Sequence, residues 1–320
     1  MTETRRVFVS GGSGFIGACL VRRLVEEGRE VHLLLREGAR TWRLADLLGD
    51  SRLRIHRGDI VNGGAVRDAL AVARPEVLIH LAGEGAYEDQ NDPRRILQTN
   101  VLGTLGLLEA GRDVGVGLFV NAGSSSEYGF KREPLRESDR VEPNSYYAVG
   151  KVAQTHLCAH FSRTHDLPLV TFRFFSVYGP WVEPTRLIPA LIRRGRAGLP
   201  LEMVSAETAR DFVYVDDILD AVLGFDRLPG CRGEVYNLGS GLQSNMRDVV
   251  RAVQSAVGAG SEVHWGGYPA RRWDTDVWVA DPTLTREMLG WSPRYTLKDG
   301  IAKMAAWMNS VGDDYGPPGG

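Results

Sequence analysis

The segment Gly11-Gly-Ser-Gly14-Phe-Ile-Gly17 constrains this chain more than any other. It lies directly between a short apolar run, Val7-Phe-Val-Ser10, and a stretch from Phe15 to Glu27 with apolar residues at helical spacing. In a strand–turn–helix unit of this kind each glycine has its own task. Gly11 permits the tight turn, Gly14 lets backbone approach a bound pyrophosphate, and Gly17 lets the helix pack close to the sheet. The first N–H groups of the helix then face the phosphates, with Ser13, Phe15 and Ile16 completing the loop. The position of the motif predicts a dinucleotide site rather than a plain glycine-rich turn.

The alternation continues downstream. Val31–Leu35, Leu53–His56, Val77–Leu81, Leu118–Val120 and Leu169–Phe174 are apolar runs, separated by helical patterns around 63–73, 93–113 and 146–164. Short strands alternating with longer helices predict βαβ units on a parallel sheet covered on both faces. The expected fold is α/β, a Rossmann-type doubly wound parallel sheet over residues 1–175. After residue 176 the rhythm breaks at Pro180, Pro184, Pro189 and Pro200. A helix is expected from Leu187 to about Arg196 and a last amphipathic one over Ile301–Met308. Residues 176–320 are read as mainly a smaller mixed α/β substrate-binding lobe. Residues 234–239 return to the core as a strand, and the tail from Gly312 to Gly320 is expected to fray.

Composition narrows the partners. With 38 Lys+Arg against 40 Asp+Glu the net charge is −2, which argues against nucleic acid or an anionic membrane. No apolar run reaches the ~18–20 residues of a membrane span. The N-terminus runs within a few residues into a strand, so no signal peptide is expected. Cys19, Cys158 and Cys231 are widely spaced and fit reduced cytoplasmic thiols. His56 and His80 sit in strand-like runs without a second ligand at metal spacing, and no metal site is expected.

Two further stretches bear on chemistry. The end of the second strand should read the adenosine ribose, through a carboxylate for NAD or a cation for the 2′-phosphate of NADP. The chain has Leu33-Leu-Leu-Arg36-Glu37-Gly-Ala-Arg40, with no acid at position 35. Arg36 and Arg40 favour NADP(H). Two alternatives stay open: Glu37 reaching the ribose, and both arginines being solvated surface. Tyr147-Ala-Val-Gly-Lys151 opens a helical segment, and residues four apart share a face. A lysine ammonium beside a phenol favours phenolate, which suits proton exchange with a carbinol or carbonyl oxygen. Ser124-Ser-Ser126 follows the fifth strand.

With these features, the chain resembles the extended short-chain dehydrogenase/reductases, in their nucleotide-sugar epimerase/dehydratase branch. The resemblance spans nearly the whole chain. It rests on residues 11–17, Asp59-Ile60, His80-Leu-Ala-Gly83, Asn100, Ser124–Ser126, Tyr147 with Lys151, Tyr178-Gly-Pro180, Arg210-Asp-Phe-Val-Tyr-Val-Asp216, Asn237-Leu-Gly-Ser-Gly241, Ala280-Asp-Pro and Leu289-Gly-Trp291. It implies Tyr147 as general acid/base and Lys151 as holder of the nicotinamide ribose. Ser124 would hydrogen-bond the reacting sugar oxygen. Asp59 and Ile60 would flank the adenine, and Leu81, Ala82 and Gly83, with Asn100, would line the cofactor cleft. Arg210 matches the arginine that binds the sugar-nucleotide diphosphate. Arg186 and Arg272 are further phosphate candidates, and Glu84 and Tyr87 are candidates for sugar selection.

The departures from the family pattern matter as much. Its 4,6-dehydratases carry an Asp-Glu pair straight after the Ser/Thr position, where this chain has Ser125 and Ser126. That argues against dehydration, although Glu127, one place late, would partly rescue it if the loop shifted. Ser176 replaces a usual asparagine and puts one substrate contact in doubt. The string Gly123-Ser-Ser-Ser-Glu-Tyr-Gly129 is similar to that of 4-keto-6-deoxysugar nucleotide reductases. Two reactions are thus expected to compete: NADPH-dependent reduction of a 4-keto-6-deoxy sugar nucleotide, and 4-epimerisation with retained NAD, as in UDP-glucose 4-epimerase. A homodimer through a four-helix bundle is also implied, with Leu102, Leu105 and Leu108 on one helix and Leu157 and Phe161 on the other.

Overall fold

A computed structural model describes residues 6–87, 89–228, 230–258, 260–267, 275–312, 315 and 316. The first half lays down β1 (Arg6–Ser10), α1 (Phe15–Glu26), β2 (Glu30–Leu35), β3 (Leu53–Arg57), α2 (Gly63–Ala73), β4 (Val77–His80) and β5 (Leu118–Ser124). Between β4 and β5 run α3 (Pro93–Leu97), a π-helical turn (Gln98–Gly103) and α4 (Thr104–Asp113). After β5 come α5 (Tyr146–His165), β6 (Leu169–Phe174) and, much later, the returning strand Arg232–Leu238. The seven strands form one parallel sheet in the order returning strand, β6, β5, β4, β1, β2, β3. In the register at its centre, Val7 lies between Val31 and Val77. Val7, Phe8 and Val9 are all fully buried, because helices cover both faces of this central strand. The strand order reverses between β1 and β4, so the crevice for a ligand opens at the carboxyl ends of these two strands.

The chain divides into two compact units. One comprises Met1–Gly129, Arg140–Arg173 and Val222–Tyr236; the other comprises Phe130–Asp139, Phe174–Ala221 and Asn237–Gly320. The core of the first unit is a cluster in which Leu70 of α2, Leu107 and Leu108 of α4, and Cys158 and Phe161 of α5 pack on Phe8, Leu78 and Phe119 of the sheet. This corrects the apolar face expected for a four-helix interface. Leu108 and Phe161 are core, and Leu105 and Leu157 pack against it. Leu108 and Phe161 are thus spent on the core, Leu105 and Leu157 are half-buried, and Leu102, at 61% exposure, faces outward.

The second unit is built of short pieces. Residues 176–178 pair in parallel with 212–214, 209–210 pair antiparallel with 244–245, and 201–203 pair in parallel with 263–265. Helices Leu187–Arg196, Met246–Val257 and Leu297–Val311 complete it. The tail departs from the expected fraying at Tyr315. This residue is buried, with its ring 4.7 Å from that of Trp307, which in turn meets Trp181.

His80 ties the end of β4 to its neighbours. Its Nδ1 lies 2.7 Å from Ser10 Oγ and its Nε2 2.8 Å from Thr104 Oγ1. The Thr104 hydroxyl donates to the Asn100 carbonyl at 2.7 Å, so it accepts from Nε2–H, and Nδ1 accepts from Ser10. Complete burial, with the Lys151 charge nearby, holds this imidazole neutral and its pKa down to about 3. The unfolded chain, with an ordinary histidine pKa near 6.5, takes up the proton first. Stability is therefore intact above that value and drains as pH falls toward 3. Urea unfolding between about pH 7 and 4 is expected to show a one-proton component of up to ~1.4 kcal/mol per pH unit. His80→Gln should remove that component from the slope.

Candidate functional site

The glycine loop joins β1 to α1 at the sheet's switch point. Gly11 has φ +75°, and a Cβ there would lie 2.6 Å from the Leu81 carbonyl carbon. A Cβ on Gly17 would overlap the Gly11 carbonyl oxygen and lie 2.8 Å from Gly12 Cα. Gly14 is exposed and leads into α1, whose N-terminus has no side-chain cap. Phe15, Ile16 and Gly17 thus begin a helix whose first N–H groups lack helical acceptors, a cradle suited to a pyrophosphate. Ser13 is half-buried, and its carbonyl accepts from Arg43 Nη1 at 3.4 Å.

The loop after β4 lies against this cradle. Leu81 N–H donates to the Ser10 carbonyl at 3.0 Å, and Leu81 and Ala82 are half-buried. Asn100, brought inward by the π-helical turn, is fully buried. Its Oδ1 accepts from Glu84 N–H at 2.8 Å and its Nδ2 donates to the Glu84 carbonyl at 2.9 Å. Asn100 therefore fixes the loop's backbone. A Cβ on Gly83 would be 3.5 Å from both Asn100 Oδ1 and Lys151 Nζ, which puts the loop beside the lysine.

The ribose end differs in detail from the sequence reading. Leu35 is buried and Arg36 is exposed, with Nη1 3.9 Å from Glu84 Oε2. Glu84 also meets Arg95 Nε at 3.3 Å, so its carboxylate sits between two cations of its own unit. Tyr87 is half-buried in the same loop. Arg40 is exposed on the turn. Arg43, which the strand pattern did not single out, is buried over the Trp42 ring at 4.2 Å and touches the glycine loop. Asp59 Oδ1 accepts from Val61 N–H at 3.1 Å, and Ile60 is a core residue beneath Gly103.

Tyr147 and Lys151, two of the proton-transfer candidates, lie together at the start of α5. Ser145 caps the helix, accepting from Ala148 N–H at 3.2 Å, and so places Tyr147 in its first turn. Lys151 Nζ lies 5.9 Å from the Tyr147 ring centroid. Only 4% exposed, Lys151 donates to the Ala122 carbonyl at 2.8 Å and to Gln154 Oε1 at 3.0 Å. Desolvation holds its ammonium down to about 8, while Glu127 pulls the other way. Ser124 ends β5, its Oγ 2.8 Å from Ser126 Oγ and accepting from Ser126 N–H. Ser125 is buried. Glu127 does not rescue the missing dehydratase pair. Its carboxylate is fully buried and already bound to Ser124 N–H, Thr155 Oγ1 and Arg173 Nε.

In the second unit Ser176 N–H donates to the Asp211 carbonyl at 2.9 Å. Arg210 is half-buried, with Nη1 donating to the Ala209 carbonyl at 2.7 Å and its guanidinium 5.9 Å from the Trp278 ring. Arg186 is exposed at the start of helix Leu187–Arg196. Arg272 lies outside the described residues. Among the described residues no group of three or more His, Cys, Asp or Glu could hold a metal ion. None of the described helices is long and apolar enough to cross a membrane.

Comparison with known proteins places the chain in a family. Residues 7–239 match the sequence model of the NAD dependent epimerase/dehydratase family. The chain is 31% identical to dTDP-glucose 4,6-dehydratase of Xanthomonas campestris pv. campestris, over 93% of this chain and 92% of that protein. It is 33% identical to UDP-glucose 4-epimerase of Mycolicibacterium smegmatis, over 93% and 96% respectively. The crystal structure of Thermus thermophilus UDP-glucose 4-epimerase complexed with NAD superposes with a TM-score of 0.83 at 29% identity, covering 96% of this chain and 99% of that one. The chain belongs to the NAD-dependent epimerase/dehydratase family, of the extended short-chain dehydrogenase/reductase type.

The cradle makes a direct prediction. Gly17→Ala should abolish dinucleotide binding in isothermal titration and lower unfolding stability by ~2 kcal/mol, because the new methyl meets backbone. Gly49→Ala, whose Cβ would meet nothing within 4 Å, should be neutral in both measurements.

Proposed function

We propose that the chain reduces the C4 ketone of a nucleotide-linked 4-keto-6-deoxy sugar with NADPH. The end of β2 carries this reading. Leu35 stands where a carboxylate would take the ribose 2′-OH, and Arg36 and Arg43 offer cations suited to a 2′-phosphate. Gly11, Ser13, Gly14, Phe15, Ile16 and Gly17 hold the pyrophosphate, Asp59 and Ile60 flank the adenine, and Leu81, Ala82 and Gly83 line the cleft with Asn100 behind them. A dinucleotide held there would supply the hydride for C4. Tyr147 gives its phenolic proton to O4, so that hydride and proton together turn ketone into alcohol. Lys151 holds the nicotinamide ribose and favours the phenolate left on Tyr147. Ser124 donates to O4.

Arg210 takes the substrate diphosphate, assisted by Arg186 and Arg272, while Ser125, Ser176, Glu84 and Tyr87 contact or select the sugar. Ser125 and Ser126 leave no acid–base pair for dehydration. The protein acts in the cytoplasm as a homodimer, with Leu97, Leu102 and Val149 supplying exposed apolar surface on the α3–α4 segment and α5.

A second reading, 4-epimerisation with retained NAD, is favoured by the Thermus thermophilus relative solved with NAD. One experiment separates the two. The purified protein is denatured, the released dinucleotide is identified, and NADPH absorbance is followed with nucleotide-linked 4-keto-6-deoxy sugars. Substrate-dependent NADPH loss is expected, with little cofactor carried through purification. Stoichiometric NAD without net consumption would establish the epimerase instead. Tyr147→Phe should lower kcat by at least ~100-fold. Arg36→Ala should weaken NADPH binding by ~10-fold and leave NADH unchanged, as befits one charge-assisted bond.

A further inference from the structure

Glu127 is a fully buried carboxylate that neither reading of the reaction uses. Its Oε1 accepts from Ser124 N–H at 2.9 Å and from Thr155 Oγ1 at 3.1 Å, and its Oε2 accepts from Arg173 Nε at 2.9 Å. Arg173 Nη1 donates in turn to Tyr128 OH at 2.8 Å. A Cβ on Gly123 would lie 2.9 Å from Glu127 Oε1, so the strand ending in Ser124 carries glycine where it passes the carboxylate. Thr155 stands one helical turn beyond Lys151 on α5. One oxygen thus holds both the residue that presents the Ser124 hydroxyl and the helix that presents the Lys151 ammonium.

We propose that Glu127 is a positioning residue for the proton-transfer set, holding the strand that ends in Ser124 and the helix that carries Lys151 in register. The inference rests on the reading of Tyr147, Lys151 and Ser124 as that set, and holds for reductase and epimerase alike. Among the described residues the charged or titratable groups that bear on Lys151 are Glu127 from the turn after β5, with Arg173 of β6 paired to it, Cys158 on α5, His80 from β4 and Tyr147 in the helix's first turn. Cys158 is a buried thiol pushed up and neutral, and His80 is neutral. Glu127 is therefore the negative charge opposing the desolvation that holds Lys151 down to about 8. Removing that charge lets the lysine lose its proton at lower pH.

The test is dinucleotide affinity, by titration calorimetry with NADPH and NAD at a series of pH values, because Lys151 holds the nicotinamide ribose. Wild-type affinity should fall as pH rises through about 8. In Glu127→Gln the fall should come at least about half a pH unit lower. Glu127→Asp keeps the charge but not the reach; its affinity profile should match wild type while kcat drops by ~10-fold or more through the misplaced serine. A neutral amide at position 127 would leave the buried Arg173 charge unpaired and endanger folding. Glu127→Gln is therefore also made together with Arg173→Met, which removes both charges of the pair. An unshifted affinity profile in the folded double variant, or full kcat in Glu127→Asp, would overturn the proposal. Absence of turnover in wild type would count against the proposed function alone, since the affinity profile is read without it.

Discussion

The first unit is organised around an ammonium that has almost no water. A buried lysine charge costs several kcal/mol unless fixed acceptors replace its hydration. Lys151 finds them in the Ala122 carbonyl and in Gln154 Oε1. Gln154 Nε2 donates to Asn121 Oδ1 at 2.7 Å, and Asn121 Nδ2 to Thr171 Oγ1 at 3.1 Å, so the chain of bonds runs from α5 through β5 to β6. A shift of α5 along the sheet would break this chain and leave the ammonium buried without partners. The helix that carries Tyr147 is thereby held in register with the strand that ends in Ser124.

Close backbone approach is the second condition. The carboxyl ends of β1 and β4 converge because Gly11 carries no side chain against Leu81 and Ala82. Gly103 likewise lets Ile60 pack beneath the π-helical turn, with the side-chain Cγ1 2.8 Å from where a Cβ would stand. That turn brings Asn100 inward, and Asn100 then satisfies both backbone groups of Glu84. The cleft is thus shaped from two sides: glycines remove bulk, and one buried amide replaces the hydrogen bonds that the irregular loop after β4 lacks.

Much of this was legible from pattern. Apolar runs bounded by glycine and polar turns mark β1 to β6, and the periodicity over 63–73 and 187–196 coincides with the helices Gly63–Ala73 and Leu187–Arg196. Which face of a stripe goes where was not legible. Leu108 and Phe161 could as well have lined an interface as the core, since periodicity gives a face and not its partner. Side-chain direction was equally hidden. Glu127 reads as a spare acid in a serine-rich turn, and only the fold turns it inward onto Arg173. Arg43 follows β2 too distantly to be read as a ribose-end residue, yet the short turn Trp42–Leu44 returns it to Ser13. Tyr315 belongs to a tail rich in glycine and proline, and its anchorage depends on Trp307, which composition cannot reveal.

The second unit uses the same device with another residue. Asp211 is fully buried, and its carboxylate accepts from Ser240 N–H, Ser240 Oγ, Gly241 N–H and Ala280 N–H at 2.6–3.0 Å. Burial pushes its carboxyl up, and these four donors pull it back. A Cβ on Gly239 would stand 2.8 Å from Asp211 Oδ2, so here too a glycine makes way for the carboxylate. Successive residues of an extended segment point to opposite sides, so an Asp211 locked into its unit presents Arg210 the other way. Glu127 beside Ser124 and Asp211 beside Arg210 each anchor a candidate residue through the backbone next to it. In both, a buried charge saturated with donors supplies rigidity that the neighbouring half-buried candidate residue cannot supply for itself.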